Sequence, residues 1–118
     1  MKLTRKQLGQ QGEDLVSEYL QNIGYRILYR NYRCRHGEID IIAEEGGDLV
    51  FVEVRARRSA NFGTAAESVN FRKQQKLHQL ALFYISIEGQ PKDNYRFDVA
   101  AVTFDGTDGK VELIKNAF

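Results

Sequence analysis

Apolar residues first recur at helical spacing: Leu8, Leu15, Val16, Tyr19, Leu20 and Ile23 form one stripe, which predicts a helix from about Thr4 to Gln21. Thr4 and Gln7 stand at capping-box spacing before it, and Gly24 follows as a terminator. The period then shortens to two. Tyr25–Tyr32 alternates with Ile27 and Tyr29 among arginines, Glu38–Glu44 carries Ile39, Ile41 and Ile42, and Leu49–Arg57 is rich in valine. Glu45-Gly46-Gly47-Asp48 joins the last two as a hairpin, because both central residues tolerate positive φ.

A looser stretch, Ser59–Thr64, leads to a second helix from about Asn70, a good N-cap, to Ile87. Its apolar side is Leu77, Leu80, Ala81, Tyr84 and Ile85. Strands Tyr95–Phe104 and Val111–Ile114 close the chain around a turn at Asp105–Gly109. The expected order is αβββαββ, an α/β fold with a mixed central sheet flanked by helices. No repeat, linker or low-complexity tract interrupts it.

Length and composition narrow the class. With 118 residues, 42% of them hydrophobic, the chain fits a single domain over 1–118 that needs no disulfide or structural metal. No apolar run approaches a membrane span, and the N-terminus turns polar at once, unlike a signal peptide. A lone Cys34 suits a reducing compartment, so the expected location is cytoplasmic and no membrane partner is expected.

The net charge of +1 is uninformative, but its distribution is not. Arg26, Arg30, Arg33 and Arg35 crowd a stretch without acids, Arg55, Arg57 and Arg58 form a second cluster, and Arg72, Lys73 and Lys76 a third. Arginine suits bidentate phosphate contacts, although such clusters also serve as ordinary solvated surface. Tyr25, Tyr29 and Tyr32, interleaved with arginines, fit either base stacking or sheet packing.

The hairpin carries the chemistry. With Gly46 and Gly47 in the turn, Asp40 comes opposite Glu53, and Glu38 opposite Arg55. Facing side chains lie roughly 5 Å apart, where two carboxylates repel. Both acids sit in the most apolar part of the sequence, so they must be paired, liganded or shifted in pKa. A hard divalent cation offsets the repulsion economically, and ion pairs to Arg55 and Arg57 are the alternative. On the first helix Glu13 falls at the edge of the apolar stripe, whereas Asp14 and Glu18 face water. His36 and Cys34 read as structural residues near a turn.

Gly37-Glu38-Ile39-Asp40 followed by Glu53-Val54-Arg55 resembles the D…E-x-K core of the PD-(D/E)XK nucleases. More closely, the whole chain resembles the YraN family. The matching landmarks are Gly9, Gly12-Glu13, Gly37-Glu38-Ile39-Asp40, Val52-Glu53-Val54-Arg55, Phe62-Gly63, Lys73 and Arg96-Phe97-Asp98-Val99. Archaeal Holliday-junction resolvases are similar in layout. The resemblance implies a restriction-endonuclease-like core and a Mg²⁺- or Mn²⁺-dependent endonuclease acting on DNA, including branched, flap or junction forms. It implies Asp40, Glu53 and the Val54 carbonyl as metal ligands, with Glu13, Asp40, Glu53 and Arg55 as the catalytic set. Arg33, Arg35, Arg57, Arg58, Lys73 and Lys76 would bind nucleic acid, and a resolvase-like role implies a homodimer. The superfamily usually has lysine where Arg55 stands, and a guanidinium cannot act as a general base. The alternative expectation is therefore a non-catalytic nucleic-acid-binding module retaining the fold.

Overall fold

The computed structural model describes residues 3–58, 66–88, 94–106 and 108–118. Helix α1 (Arg5–Asn22) begins with the expected capping box: the Thr4 N–H donates to Gln7 Oε1 at 2.9 Å, and the Gln7 N–H to Thr4 Oγ1 at 3.1 Å. It stops at Ile23, and Gly24 takes φ +101° to turn the chain. The buried stripe is narrower than predicted. Leu8, Val16 and Leu20 are buried, but Tyr19 and Ile23 are 36% and 45% exposed. The helix settles instead on Gly12, where a Cβ would meet that of Ala56 at 2.9 Å.

Three antiparallel strands follow, β1 (Arg26–Cys34), β2 (Gly37–Glu45) and β3 (Asp48–Arg57). Gly46 and Gly47 adopt φ of +59° and +90°, and the hairpin pairs Glu45 with Asp48 through to Ile41 with Val52, the register expected from the turn. A short 3₁₀ turn at Ala66–Ser68, not anticipated from the sequence, precedes α2 (Phe71–Glu88). The Lys73 N–H donates to Asn70 Oδ1 at 2.9 Å, so Asn70 caps α2 as expected. Strand β4 (Asn94–Asp105) pairs parallel to β3, and β5 (Asp108–Ile114) pairs antiparallel to β4. Both extend beyond their predicted limits. The predicted loop Ser59–Thr64 and the landmark Phe62-Gly63 lie outside the described residues.

The result is one five-stranded mixed sheet in the order β1-β2-β3-β4-β5, with a helix on each face. Leu49 and Phe51 pack with Leu77, Leu80, Ala81 and Tyr84 under α2. Val50 and Val52 pack with Val16 and Leu20 under α1. Covered on both sides, β3 reads as a continuous apolar run rather than an alternating one. The β1 tyrosines serve packing: Tyr29, Tyr32 and Tyr84 meet edge to face, with centroids 5.2–5.8 Å apart. The His36 ring lies 5.1 Å from Phe83, and Cys34 is a free thiol accepting the His36 N–H. No described helix is long and apolar enough to cross a membrane.

At the hairpin end of the sheet, Arg96 ties four segments together. Its guanidinium contacts Asp98 at 3.0 Å, Asp48 at 2.6 Å and Glu45 at 2.8 Å. Asp98, fully buried, also accepts the Tyr25 hydroxyl at 2.7 Å and the Asn116 N–H at 2.9 Å. Burial and the Asp98 carboxylate push the Tyr25 hydroxyl far above its usual pKa, so it stays a donor. Asp98→Ala would strand the Asn116 N–H and the Tyr25 O–H in the interior and leave Arg96 only Asp48 and Glu45. The expected loss is about 3–5 kcal/mol in urea unfolding, the cost of breaking a buried pair. A loss under about 1 kcal/mol would show that the network is not integral to the fold.

Candidate functional site

Away from the hairpin turn, the regular ladder between β2 and β3 ends at Ile41–Val52. Ile39 packs under α2 whereas Ile41 packs under α1, so the strand's alternation slips at Asp40. On β1, Asn31 stands between the partners of Ile41 and Ile39 and takes φ +54°. Asparagine tolerates that left-handed conformation better than most residues. Two sequence-based expectations are corrected by this irregularity. Asp40 is not held opposite Glu53 by the ladder; its Oδ2 accepts the Val54 N–H at 2.8 Å. Glu38 has no ladder partner on β3, and on its other side it pairs with Arg33 of β1, where the two side chains make a 3.2 Å ion pair.

The carboxylates nevertheless converge. Glu53 is 6% exposed on the α2 face of the sheet. Burial and the neighbouring Asp40 carboxylate push its pKa up to about 7, and a hydrogen bond between the two carboxyl groups, available only to the protonated acid, adds to the rise. Arg55 Nη2 at 3.3 Å and Lys73 Nζ at 3.6 Å oppose it. Glu13 reaches the same place from α1. Its pKa is raised by burial and by Asp40, and lowered by Arg30 and a hydrogen bond with Asn31. Its Oε1 is buried without a hydrogen-bond partner, 3.6 Å from Arg30 Nη2, and Arg55 Nε is likewise buried and unpartnered. Such orphaned atoms are uncommon in folded proteins and suit a site that binds something.

Of the residues predicted to act, Asp40, Glu53, Arg55 and Lys73 are brought together, and Glu13 approaches Asp40 from the α1 side. Lys73 and Lys76 line, with Arg55, Arg72, Asn70 and Gln75, an open cleft of about 820 Å³ beside the N-terminal turns of α2. On the α1 side Arg55, Arg57 and Arg58 line a second cleft of about 380 Å³ with Arg5. Arg33 and Arg35 line neither cleft: Arg33 is engaged with Glu38, and the Arg35 guanidinium lies over the Phe83 ring at 6.0 Å. Sequence reasoning missed Arg30, Asn31 and Arg5. An asparagine inside a β-patterned run was the available signal, since it marks a departure from regular strand.

The donor set fits a hard divalent ion. Asp40 and Glu53 offer oxygen ligands, and their mutual destabilisation is what such a charge relieves. Among the described residues, no group of three or more His, Cys, Asp or Glu side chains is placed to hold a metal ion. Mg²⁺ characteristically keeps several waters and is often held by only one or two protein carboxylates.

The class these features define is a three-layer mixed α/β protein with a carboxylate cluster where its central hairpin splays, flanked by two basic clefts. The chain belongs to the family described as "Uncharacterised protein family UPF0102", whose profile matches residues 12–102, and this is the YraN family. It is 48% identical to the UPF0102 protein of Moorella thermoacetica over 120 aligned positions, covering 100% of each chain. It is 47% identical to that of Alkaliphilus metalliredigens, covering 96% and 98% of the two chains, and 48% identical to that of Thermodesulfovibrio yellowstonii, covering 98% and 99%.

The shifted acid gives a pH test. Because the fold raises the pKa of Glu53 from 4.5 to about 7, the native state binds more protons than the unfolded chain between those values. This group's stabilising contribution is complete below about pH 4.5 and declines as pH rises to about 7. Glu53→Gln, which keeps the neutral shape, should flatten that decline in urea midpoints measured from pH 4.5 to 8. Equal slopes for the two proteins would refute the shift.

Proposed function

We propose that this protein is a divalent-cation-dependent endonuclease that hydrolyses phosphodiester bonds in DNA, on a PD-(D/E)XK-like fold. The observation that carries the proposal is Glu53: a buried carboxyl destabilised by Asp40, beside Arg55 and Lys73 of a cationic cleft. Asp40, Glu53 and the Val54 carbonyl would hold Mg²⁺ or Mn²⁺. Bound there, the ion supplies a water of lowered pKa and neutralises charge on the phosphate under attack.

The chain's own groups divide the remaining work. Glu13, with its unpartnered oxygen, would accept or return a proton on the water side. Arg55 stays charged at every relevant pH, so it orients a phosphate oxygen and cannot be the base. Lys73 and Lys76 would hold neighbouring phosphates in the α2 cleft, and Arg57 and Arg58 those on the α1 side. Cutting both strands of a duplex would need two such sites, so a homodimer belongs to the same reading, as does a cytoplasmic location for a chain with one free thiol.

One observation favours a second reading. Arg55 and Lys73 already pair with Glu53, so the acid has internal counter-ions. A nucleic-acid-binding module would keep this arrangement permanently and need no divalent ion.

Labelled single-stranded, duplex, flap and four-way-junction DNA, incubated with Mg²⁺ or Mn²⁺, separates the two. The enzyme should cut at least one substrate, with the rate falling at least a hundredfold in both Asp40→Ala and Glu53→Gln, as expected when a metal ligand is lost. Absence of cutting, combined with salt-sensitive binding unchanged in Asp40→Ala, would leave the binding module.

A further inference from the structure

Phe71 is the most exposed of the large apolar side chains described, at 71%. It opens α2, whose buried positions are Leu77, Leu80, Ala81 and Tyr84. Counting back from that stripe at helical spacing, position 71 falls out of phase, so the helix presents Phe71 to solvent. It belongs to neither core cluster. Its chain neighbours Asn70 and Arg72 line the 820 Å³ cleft with Arg55, Lys73 and Lys76. Among the described residues, four cations and no acid line that cleft, so its complement is a polyanion.

A cationic cleft beside a solvent-facing aromatic ring supplies the two components of a surface for single-stranded nucleic acid. Bases within a duplex are already stacked on each other and leave the ring nothing to cover, whereas an unpaired base has a free face. We propose that Phe71 stacks on an unpaired base of a DNA strand whose phosphates lie in the cleft formed by Arg55, Arg72, Lys73 and Lys76. This inference rests on the nucleic-acid reading above and adds its substrate class: strands that are single, frayed or branched, with the unpaired nucleotide held at the start of α2.

Fluorescence anisotropy tests it in EDTA, where no metal-dependent cutting occurs. The probes are a labelled 15-nucleotide single strand, the same strand with central abasic sites, and a blunt duplex of equal length. Phe71→Ala should weaken single-strand binding by about 5- to 100-fold, the usual range for a stacked base. Binding of the duplex and the abasic strand should stay within about twofold, and Phe71→Trp should restore the single-strand preference. Lys76→Ala should weaken all three probes and flatten their salt dependence. An equal effect of Phe71→Ala on all three probes, or none on any, overturns the stacking proposal while leaving nucleic-acid binding intact. Failure of the wild type to bind any probe overturns both.

Discussion

The Arg96 guanidinium is the constraint on which the rest of the structure depends. It binds the end of β2 through Glu45, the start of β3 through Asp48 and its own strand through Asp98. Asp98 brings in Tyr25 after α1 and Asn116 after β5. Parallel pairing of β3 with β4 has no turn to set its register, because the connection runs through a whole helix. Charged contacts at one end of the pair set it instead. Asp48 then aligns with Asn94, and five residues further along Glu53 aligns with Val99. A one-residue slip would exchange the two faces of β4 and remove Phe97 and Val99 from beneath α2.

That anchoring explains how the opposite end of the hairpin can tolerate an unfavourable arrangement. Two carboxyl groups beside each other, one of them buried, cost stability at neutral pH. The ladder between β2 and β3 gives out where those groups begin, and the Asp40 side chain replaces part of it by accepting the Val54 N–H. The strand pair is therefore firm at its turn and open at its far end, with the acids in the opening. Gly12 serves the same end, since its missing side chain lets α1 approach Ala56 closely enough for Glu13 to join them.

Much of this was legible in the sequence where local rules operate. The Thr4 and Gln7 cap, the Asn70 cap and the two-glycine turn depend on neighbours within a few residues, and each formed as expected. The turn also carried the hairpin register as far as Ile41 and Val52. Extrapolation beyond that point failed because it assumed regular pleating, and Asn31 on the neighbouring strand breaks it. The burial of Tyr19 and Ile23 was overestimated because helical spacing identifies a stripe but not how close the sheet comes. The placement of Arg33 and Arg35 could not be read from charge clustering, since their partners Glu38 and Phe83 are set by strand pairing and by α2. Convergence of Glu13 with Asp40 was visible only as a position on the rim of a helix; its distance to the sheet is a tertiary fact.

The two cations on Glu53 differ in a way that bears on what the site does. Arg55 belongs to the same strand, carries a permanent charge and is half-buried beside the acid. Lys73 comes from α2, ends a flexible four-carbon stem and is 38% exposed at the cleft. One counter-charge is thus fixed and the other is free to move between the acid and the cleft. On the nuclease reading, Asp40 and Glu53 would hold the divalent ion, and Lys73 would be available to phosphates in the cleft that Lys76 and Arg72 also line. On that reading the strand needs only the constant charge of Arg55, because a second cation comes from the helix.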